Sequence, residues 1–439
     1  MKLRIFMAIL FLFASCSRAP QDSEIIAITN AVLIDGNGGP VVEGGTVLIE
    51  GAKILAVGDS AEVGVPAGAR VIDARGMTVM PGLADMHVHL VGGWDGVSVD
   101  ILGYQRYLNS LLYAGVTTVL DMGNIFPFSI QMRQEINAGR LLGSRIYTSG
   151  PLIDGPKPIW PDISFAVTTE EQIPKFVRKL KNEGVDFVKA YAGLTEENVL
   201  ALVKESSQAG IPVFIHRPRS IPYENLMETG VKAIAHTPGV ISDDAITKMI
   251  DNGVACITTL SVVEVGGRQR FNDKGFLSHP LIQDTTPPWF LEEITALEPK
   301  AERPTKMLRA AFNTVKKLHD RGVLVVAGTD APYPGVFQGE GIHRELELLV
   351  EAGLTPLEAV TAATRNAARL MKAESEWGTL EPGKTANLLL VRGRPDITIS
   401  ESRNVETVIK EGRILNRSRL KFDVNRDPGF RISTSVASN

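Results

Sequence analysis

The sequence predicts an α/β protein: a (β/α)8 TIM-like barrel joined to a small β-sandwich that both ends of the chain build together. Three observations carry this. Residues 81–372 alternate short β-branched runs with longer helical stretches, the pattern of βαβ units. A glycine stands just before six of those runs, at Gly115, Gly184, Gly210, Gly230, Gly253 and Gly322. Residues 25–80 and 373–416 have a different texture in common, short alternating runs punctuated by glycine.

The chain's first residues are expected to lie outside that fold. Lys2 and Arg4 flank the start of an apolar run, 5–13, too short to span a bilayer and suited to a secretory leader. Phe13-Ala14-Ser15-Cys16 resembles a bacterial lipobox, with Phe13 where leucine is usual. Residues 1–16 therefore read as a signal peptide with Cys16 lipidated, or as a leader that is simply cleaved. Residues 17–24 form a polar tether. Either reading exports the protein, to the periplasmic side of a bacterial envelope with an N-terminal lipid anchor as the sole membrane contact, or as a secreted protein.

In the first β segment, 45–50 and 53–57 read as short strands, and 386–391 and 405–410 answer them near the other end. Between lie eight expected barrel strands: 83–89, 116–121, 145–149, 185–189, 211–216, 231–236, 254–259 and 323–327. The logic repeats: a glycine ends each helix in a left-handed conformation, a buried apolar strand follows, and a polar residue closes it. Helices are expected over 169–183, 195–209, 242–252, 304–321 and 355–372. Eight such units match the length of a (β/α)8 barrel. An open doubly wound sheet would need a glycine-rich nucleotide loop, and none stands where it is required. The long connection 263–300 reads as a lid over the barrel mouth, and 417–439 as a C-terminal tail.

Composition excludes several functions. Of 439 residues, 44% are apolar and 22% charged, ordinary for one large globular domain and a small one. Basic and acidic side chains number 46 and 50, giving a net charge of −4 and no footprint for nucleic acid or an anionic membrane surface. Cys16 and Cys256 are the two cysteines, too few for a disulfide framework. A small molecule is the expected partner, and homo-oligomerisation stays open.

The chemistry concentrates at strand ends. His87 and His89 stand two apart in a strand, so both imidazoles point to one side. Of seven histidines, His87, His89, His216 and His236 fall at the C-terminal ends of expected strands, the rim where barrel active sites are built. Asp330 joins them. Nitrogen and carboxylate donors converging on one rim suit Zn²⁺, or Mn²⁺, Co²⁺ or Fe²⁺. Lys189 ends an apolar strand at the same rim. It either pairs with a carboxylate such as Asp330, reaches solvent, or has captured CO₂ as a carbamate able to bridge two cations. Tyr191, Arg217, Arg219 and His343 are candidate substrate contacts. An arginine there would pair with a substrate carboxylate or with a nearby acidic residue.

Met80-Pro-Gly-Leu-Ala-Asp-Met-His-Val-His89 resembles the opening metal motif of the amidohydrolase superfamily. Gly115-Val-Thr-Thr-Val-Leu-Asp-Met122, Val326-Ala-Gly-Thr-Asp330 and Glu381-Pro-Gly-Lys-Thr-Ala-Asn387 carry the same resemblance. It covers nearly the whole mature chain. Within the superfamily the chain is most similar to the imidazolonepropionase-related branch that includes prolidase-like dipeptidases, whose members carry a lysine placed like Lys189. The resemblance implies two divalent metal ions, most simply Zn²⁺. His87 and His89 would hold the inner one with Asp330, His216 and His236 the outer one, and carboxylated Lys189 would bridge both. It implies hydrolysis of a C–N bond in a dipeptide or N-acyl amino acid by a metal-bridging hydroxide, with Asp330 as base and then acid. The alternative is a mononuclear deaminase or cyclic amidine/imidazolone hydrolase on the same fold. Such deaminases commonly place a glutamate soon after a strand-end histidine, whereas here Arg217-Pro218-Arg219 follows His216 and Thr237-Pro238-Gly239 follows His236. A solute-binding lipoprotein with a retired site is disfavoured by the complete ligand set.

Overall fold

The computed structural model describes residues 24–93, 95, 98–299 and 305–426. The expected signal peptide, Cys16, the tether up to residue 23 and residues 427–439 lie outside the described residues.

Five strands open the chain: β1 (Ile25–Leu33), β2 (Val42–Glu50), β3 (Lys53–Asp59), β4 (Arg70–Asp73) and β5 (Met77–Pro81). Ten follow: β6 (Leu83–Val88), β7 (Val116–Asp121), β8 (Arg145–Thr148), β9 (Leu152–Asp154), β10 (Ser164–Ala166), β11 (Val188–Ala190), β12 (Val213–His216), β13 (Ala233–Ala235), β14 (Ala255–Ile257) and β15 (Val325–Val326). The last three are β16 (Leu388–Arg392), β17 (Val405–Lys410) and β18 (Arg413–Ile414).

Both chain ends meet in one eight-stranded sheet, ordered β18-β17-β16-β5-β1-β2-β3, with β4 also paired to β1. The join is antiparallel pairing of β16 with β5, Leu390 opposite Val79. Ile28, Val47, Val79, Leu388, Leu390 and Ile409 share the core of this unit. Leu389, between Leu388 and Leu390, points the other way and is buried against the central βα units. A run buried on both faces explains why β16 reads Leu-Leu-Leu-Val rather than alternating.

The central part is an α/β fold with parallel strands. One sheet holds β6-β7-β8, and a seven-stranded sheet runs β10-β9-β11-β12-β13-β14-β15. Backbone hydrogen bonds join the two: Met86 N–H to the Ala327 carbonyl (3.0 Å) and Asp186 N–H to the Thr148 carbonyl (3.0 Å). The six glycines before these strands all hold positive φ, Gly184 at 76° and Gly322 at 85° among them. Helices begin on hydroxyl caps at Thr195, Ser242, Thr305 and Thr355, each accepting a backbone N–H three residues on.

The sequence reading departs from the structure in three places. β9 and β10 were not anticipated, because neither follows an α-helix closed by a glycine, the pattern that marked other strands just as short. The expected helix 355–372 is two helices, Pro356–Ala362 and Arg365–Leu370. Thr364 leaves helical geometry between them (φ −134°, ψ −92°) while its hydroxyl bonds back to the Val360 carbonyl at 2.7 Å. The 263–300 connection is no open loop. Its described part holds short helices, including Pro280–Gln283 and Pro288–Thr295, and buries Phe271, Leu277, Ile282 and Ile294 in the main core.

Candidate metal centre

The strand ends gather the expected residues. Asp330 Oδ1 lies 3.2 Å from both His87 Nε2 and His89 Nε2, and Oδ2 lies 3.9 Å from His236 Nδ1. The His236 ring centroid is 4.7 Å from that of His87 and 4.7 Å from that of His216. Ligand atoms of His87, His89 and Asp330 all fall within 4.8 Å of one another, a grouping that could hold one metal ion.

The backbone is bent to achieve this. His236 (φ 69°), Thr259 (75°) and Asp330 (64°) adopt the left-handed region just beyond their strands. Each costs roughly 1–2 kcal/mol for a residue with a Cβ, and such strain tends to collect where function needs it. Gly328 permits the close approach of the last strand to the first, since a Cβ there would meet His87 Cβ at 2.8 Å.

Buried carboxylates brace the frame. Asp85 accepts from the His87 N–H (3.2 Å), the Thr329 N–H (3.0 Å) and the Thr329 hydroxyl (2.6 Å). Glu345 accepts from the Thr258 hydroxyl (2.5 Å), the Leu260 N–H (2.8 Å) and the Ser261 N–H (2.8 Å), fixing the turn that carries Thr259. Thr259 Oγ1 in turn lies 2.8 Å from His236 Nδ1, and His89 Nδ1 lies 3.2 Å from the Gly123 carbonyl.

Electrostatics keep most of the imidazoles neutral. Burial lowers His87 to about 3 and His216 to about 4, and it holds His236 well below its ordinary value. Neutral imidazole is the form that ligates a metal. For His89, burial is outweighed by Asp330 and Asp121, which raise it. For Asp330, burial is likewise outweighed, and the surrounding histidines hold the carboxylate well below its usual range. Lys189 is buried, and desolvation lowers it to about 7. Its Nζ, with His87 Nδ1 and His216 Nδ1, is buried with no hydrogen-bond partner among the described residues. An amine without acceptors inside a ring of ligand-type side chains is a poor fit for a structural ion pair, and the donor set fits a divalent metal.

The substrate-contact expectations fare unevenly. Tyr191 packs against His216 with ring centroids 4.8 Å apart and planes tilted by 44°, and its hydroxyl accepts the Trp160 indole N–H at 3.0 Å. His343 is corrected: it is buried in helix Glu340–Glu351, with Nδ1 3.0 Å from Ser402 Oγ and Nε2 2.9 Å from the Ala114 carbonyl, so it packs the fold and does not line the cavity beside His89 and Asp330. Arg217 is corrected too: it donates to the Ile221 carbonyl (2.8 Å) and covers the Tyr223 ring at 4.3 Å, holding its own loop. Arg219 is exposed, and neither arginine lines the cavity.

That cavity, of about 350 Å³, opens beside His89 and Asp330. Its walls come in part from segments that sequence reasoning missed, 91–93, 98–99 and 159–163; no described residue of 263–299 lines it, so the cavity lends the lid expectation no support. Buried Asp154 sets the second wall by accepting the N–H groups of Gly155 (2.8 Å), Gly193 (2.7 Å) and Ile159 (3.2 Å). The only signal in the sequence was a tryptophan, Trp160, set in a proline-rich stretch.

Known proteins resemble this chain. Residues 78–415 match the Amidohydrolase family. The imidazolonepropionase of Geobacillus kaustophilus is 26% identical over 429 residues, covering 85% of this chain and 91% of its own. The enamidase of Eubacterium barkeri is 26% identical over 372 residues, covering 80% and 82%. The crystal structure of a Xaa-Pro dipeptidase with bound methionine superposes with a TM-score of 0.72 at 24% identity, covering 89% of this chain and 100% of that one. The chain belongs to the amidohydrolase family, hydrolases of C–N bonds that generally use divalent metals. Within it, the chain falls in the imidazolonepropionase and prolidase-like branch.

Proposed function

We propose that this protein is a binuclear metal-dependent hydrolase that cleaves the C–N amide bond of a dipeptide or N-acyl amino acid. The single observation carrying the reading is Lys189, whose amine is buried and unpartnered among His87, His216 and Asp330. Desolvation favours its neutral, CO₂-reactive form. His87, His89 and Asp330 would hold one ion, His216 and His236 a second, with carboxylated Lys189 between them. Bound divalent ions of the Zn²⁺ type would supply an acidified water and a polarised substrate carbonyl. Asp330 would accept the proton from that water and return it to the departing nitrogen. Thr259 and Gly123 would fix the His236 and His89 rings, keeping the ligands aimed. The two parallel sheets are read here as one (β/α)8 barrel, supported by the hydrogen bonds at both seams, and the composite sheet as its β-sandwich.

One observation favours a second reading. Among the described residues, His87, His89 and Asp330 are the three histidine and carboxylate side chains whose ligand atoms all lie within 4.8 Å of one another. With relatives named imidazolonepropionase and enamidase, this supports a mononuclear enzyme acting on a cyclic amidine or imidazolone. Metal analysis of Lys189→Ala separates the two. The binuclear reading expects loss of activity and of about one metal equivalent per chain, with propionate restoring part of both. An unchanged metal content would decide for the mononuclear enzyme.

A further inference from the structure

The cavity beside the metal centre has walls of one character. Val91, Val99, Ile159, Trp160, Ile163 and Tyr333 supply apolar surface around its 350 Å³. Among the described residues lining it there is no lysine or arginine, and the carboxylates are Asp162 and Asp330. Arg217, the nearest expected reader of a substrate carboxylate, is held by Ile221 and Tyr223. The Trp160 indole N–H is already given to Tyr191, so the ring offers the cavity no free donor. A carboxylate held against Trp160 and Ile163 would lose water, find no lysine or arginine among the described lining residues, and stand beside Asp162.

We propose that this cavity is a specificity pocket for an uncharged, ring-sized apolar group on the substrate, and that it rejects a carboxylate at that position. The inference rests on the amide-hydrolase reading. In an N-acyl substrate the scissile bond would lie at His89 and Asp330, the acyl ring would enter the pocket against Trp160 and Ile163, and any carboxylate would stay on the amine side, outside it. The volume lies at the low end of ligand pockets, about 300–1,000 Å³, which fits one ring better than an extended peptide.

The test uses two probes that differ only in the buried group, N-benzoylglycinamide and N-(4-carboxybenzoyl)glycinamide. Affinity is measured by calorimetry on the full chain carrying Asp330→Asn, and hydrolysis on the otherwise wild-type chain. The neutral probe should bind about tenfold or more tightly than the charged one. Trp160→Ala should remove most of that advantage, Trp160→Phe should keep it, and Ile163→Lys should close or reverse it by supplying the missing cation. Equal affinity for the two probes, or a preference unmoved by Ile163→Lys, would overturn the pocket. Discrimination in binding without hydrolysis of either probe would keep the pocket and refute the N-acyl amide reading.

Discussion

Asp330 is the residue on which the site turns. Its carboxylate reaches His87 and His89 at 3.2 Å from a left-handed backbone that its own N–H secures to the His87 carbonyl at 2.7 Å. Asp330→Asn keeps the shape and one oxygen donor but removes the proton acceptor. It should leave the thermal transition nearly unchanged and lower kcat by about 10²–10⁴-fold; residual turnover within tenfold of wild type would remove Asp330 from proton transfer. Such residues were legible because their chemistry coincides with their place. A strand that must end at the rim puts its last polar side chain there, whatever surrounds it. Arg217 and His343 were not legible, because a flexible or helical side chain aims at whatever lies near in space. Tyr223 captures the first, and Ser402, distant in sequence, captures the second.

At the scale of elements, the 263–300 segment is held by charge as well as by apolar burial. Glu340, fully buried at the start of helix Glu340–Glu351, accepts from Arg270 (2.5 Å) and Arg403 (2.6 Å), and Arg403 also reaches Glu347 at 2.6 Å. Two segments far apart along the chain thus close on one helix. A sequence window cannot show this, since helices of four to eight residues carry little periodicity and the partners are far apart along the chain. Arg403→Ala strands part of that negative charge and should cost about 3 kcal/mol, read as a shift in urea midpoint. The sign with pH is set by Glu340. Burial would raise it, but Arg270 and Arg403 outweigh burial and lower it from 4.5 to about 2. Its stabilisation is therefore complete above pH ~4.5 and is lost as pH falls towards 2. The variant should show a weaker acid dependence across that window; an identical dependence would place the acid sensitivity in other carboxylates.

Across the whole molecule, the composite sheet packs against the central βα units, and one contact that joins them is at Gly115. This glycine precedes β7 with φ 83°, and a Cβ there would lie 2.4 Å from Leu389 Cδ2 on β16, a strand from the other end of the chain. The sequence announced both partners separately, Gly115 as a helix stop and the leucine run as a strand, but not that they touch. Gly210 is the control: its φ is 72° and a Cβ there would meet nothing within 4 Å. Gly210→Ala should therefore cost only the left-handed strain, roughly 1–2 kcal/mol. Gly115→Ala carries the same strain and also forces the buried Leu389 to repack, adding roughly 1–3 kcal/mol. Shortening the leucine should relieve the second part and leave the first. In a double-mutant cycle with Leu389→Val, read by urea denaturation, the pair should couple by about 1 kcal/mol or more. A cycle that closes to zero would mean that the sheet and the βα units accommodate each other without this contact. The two glycine variants would then differ for local reasons alone.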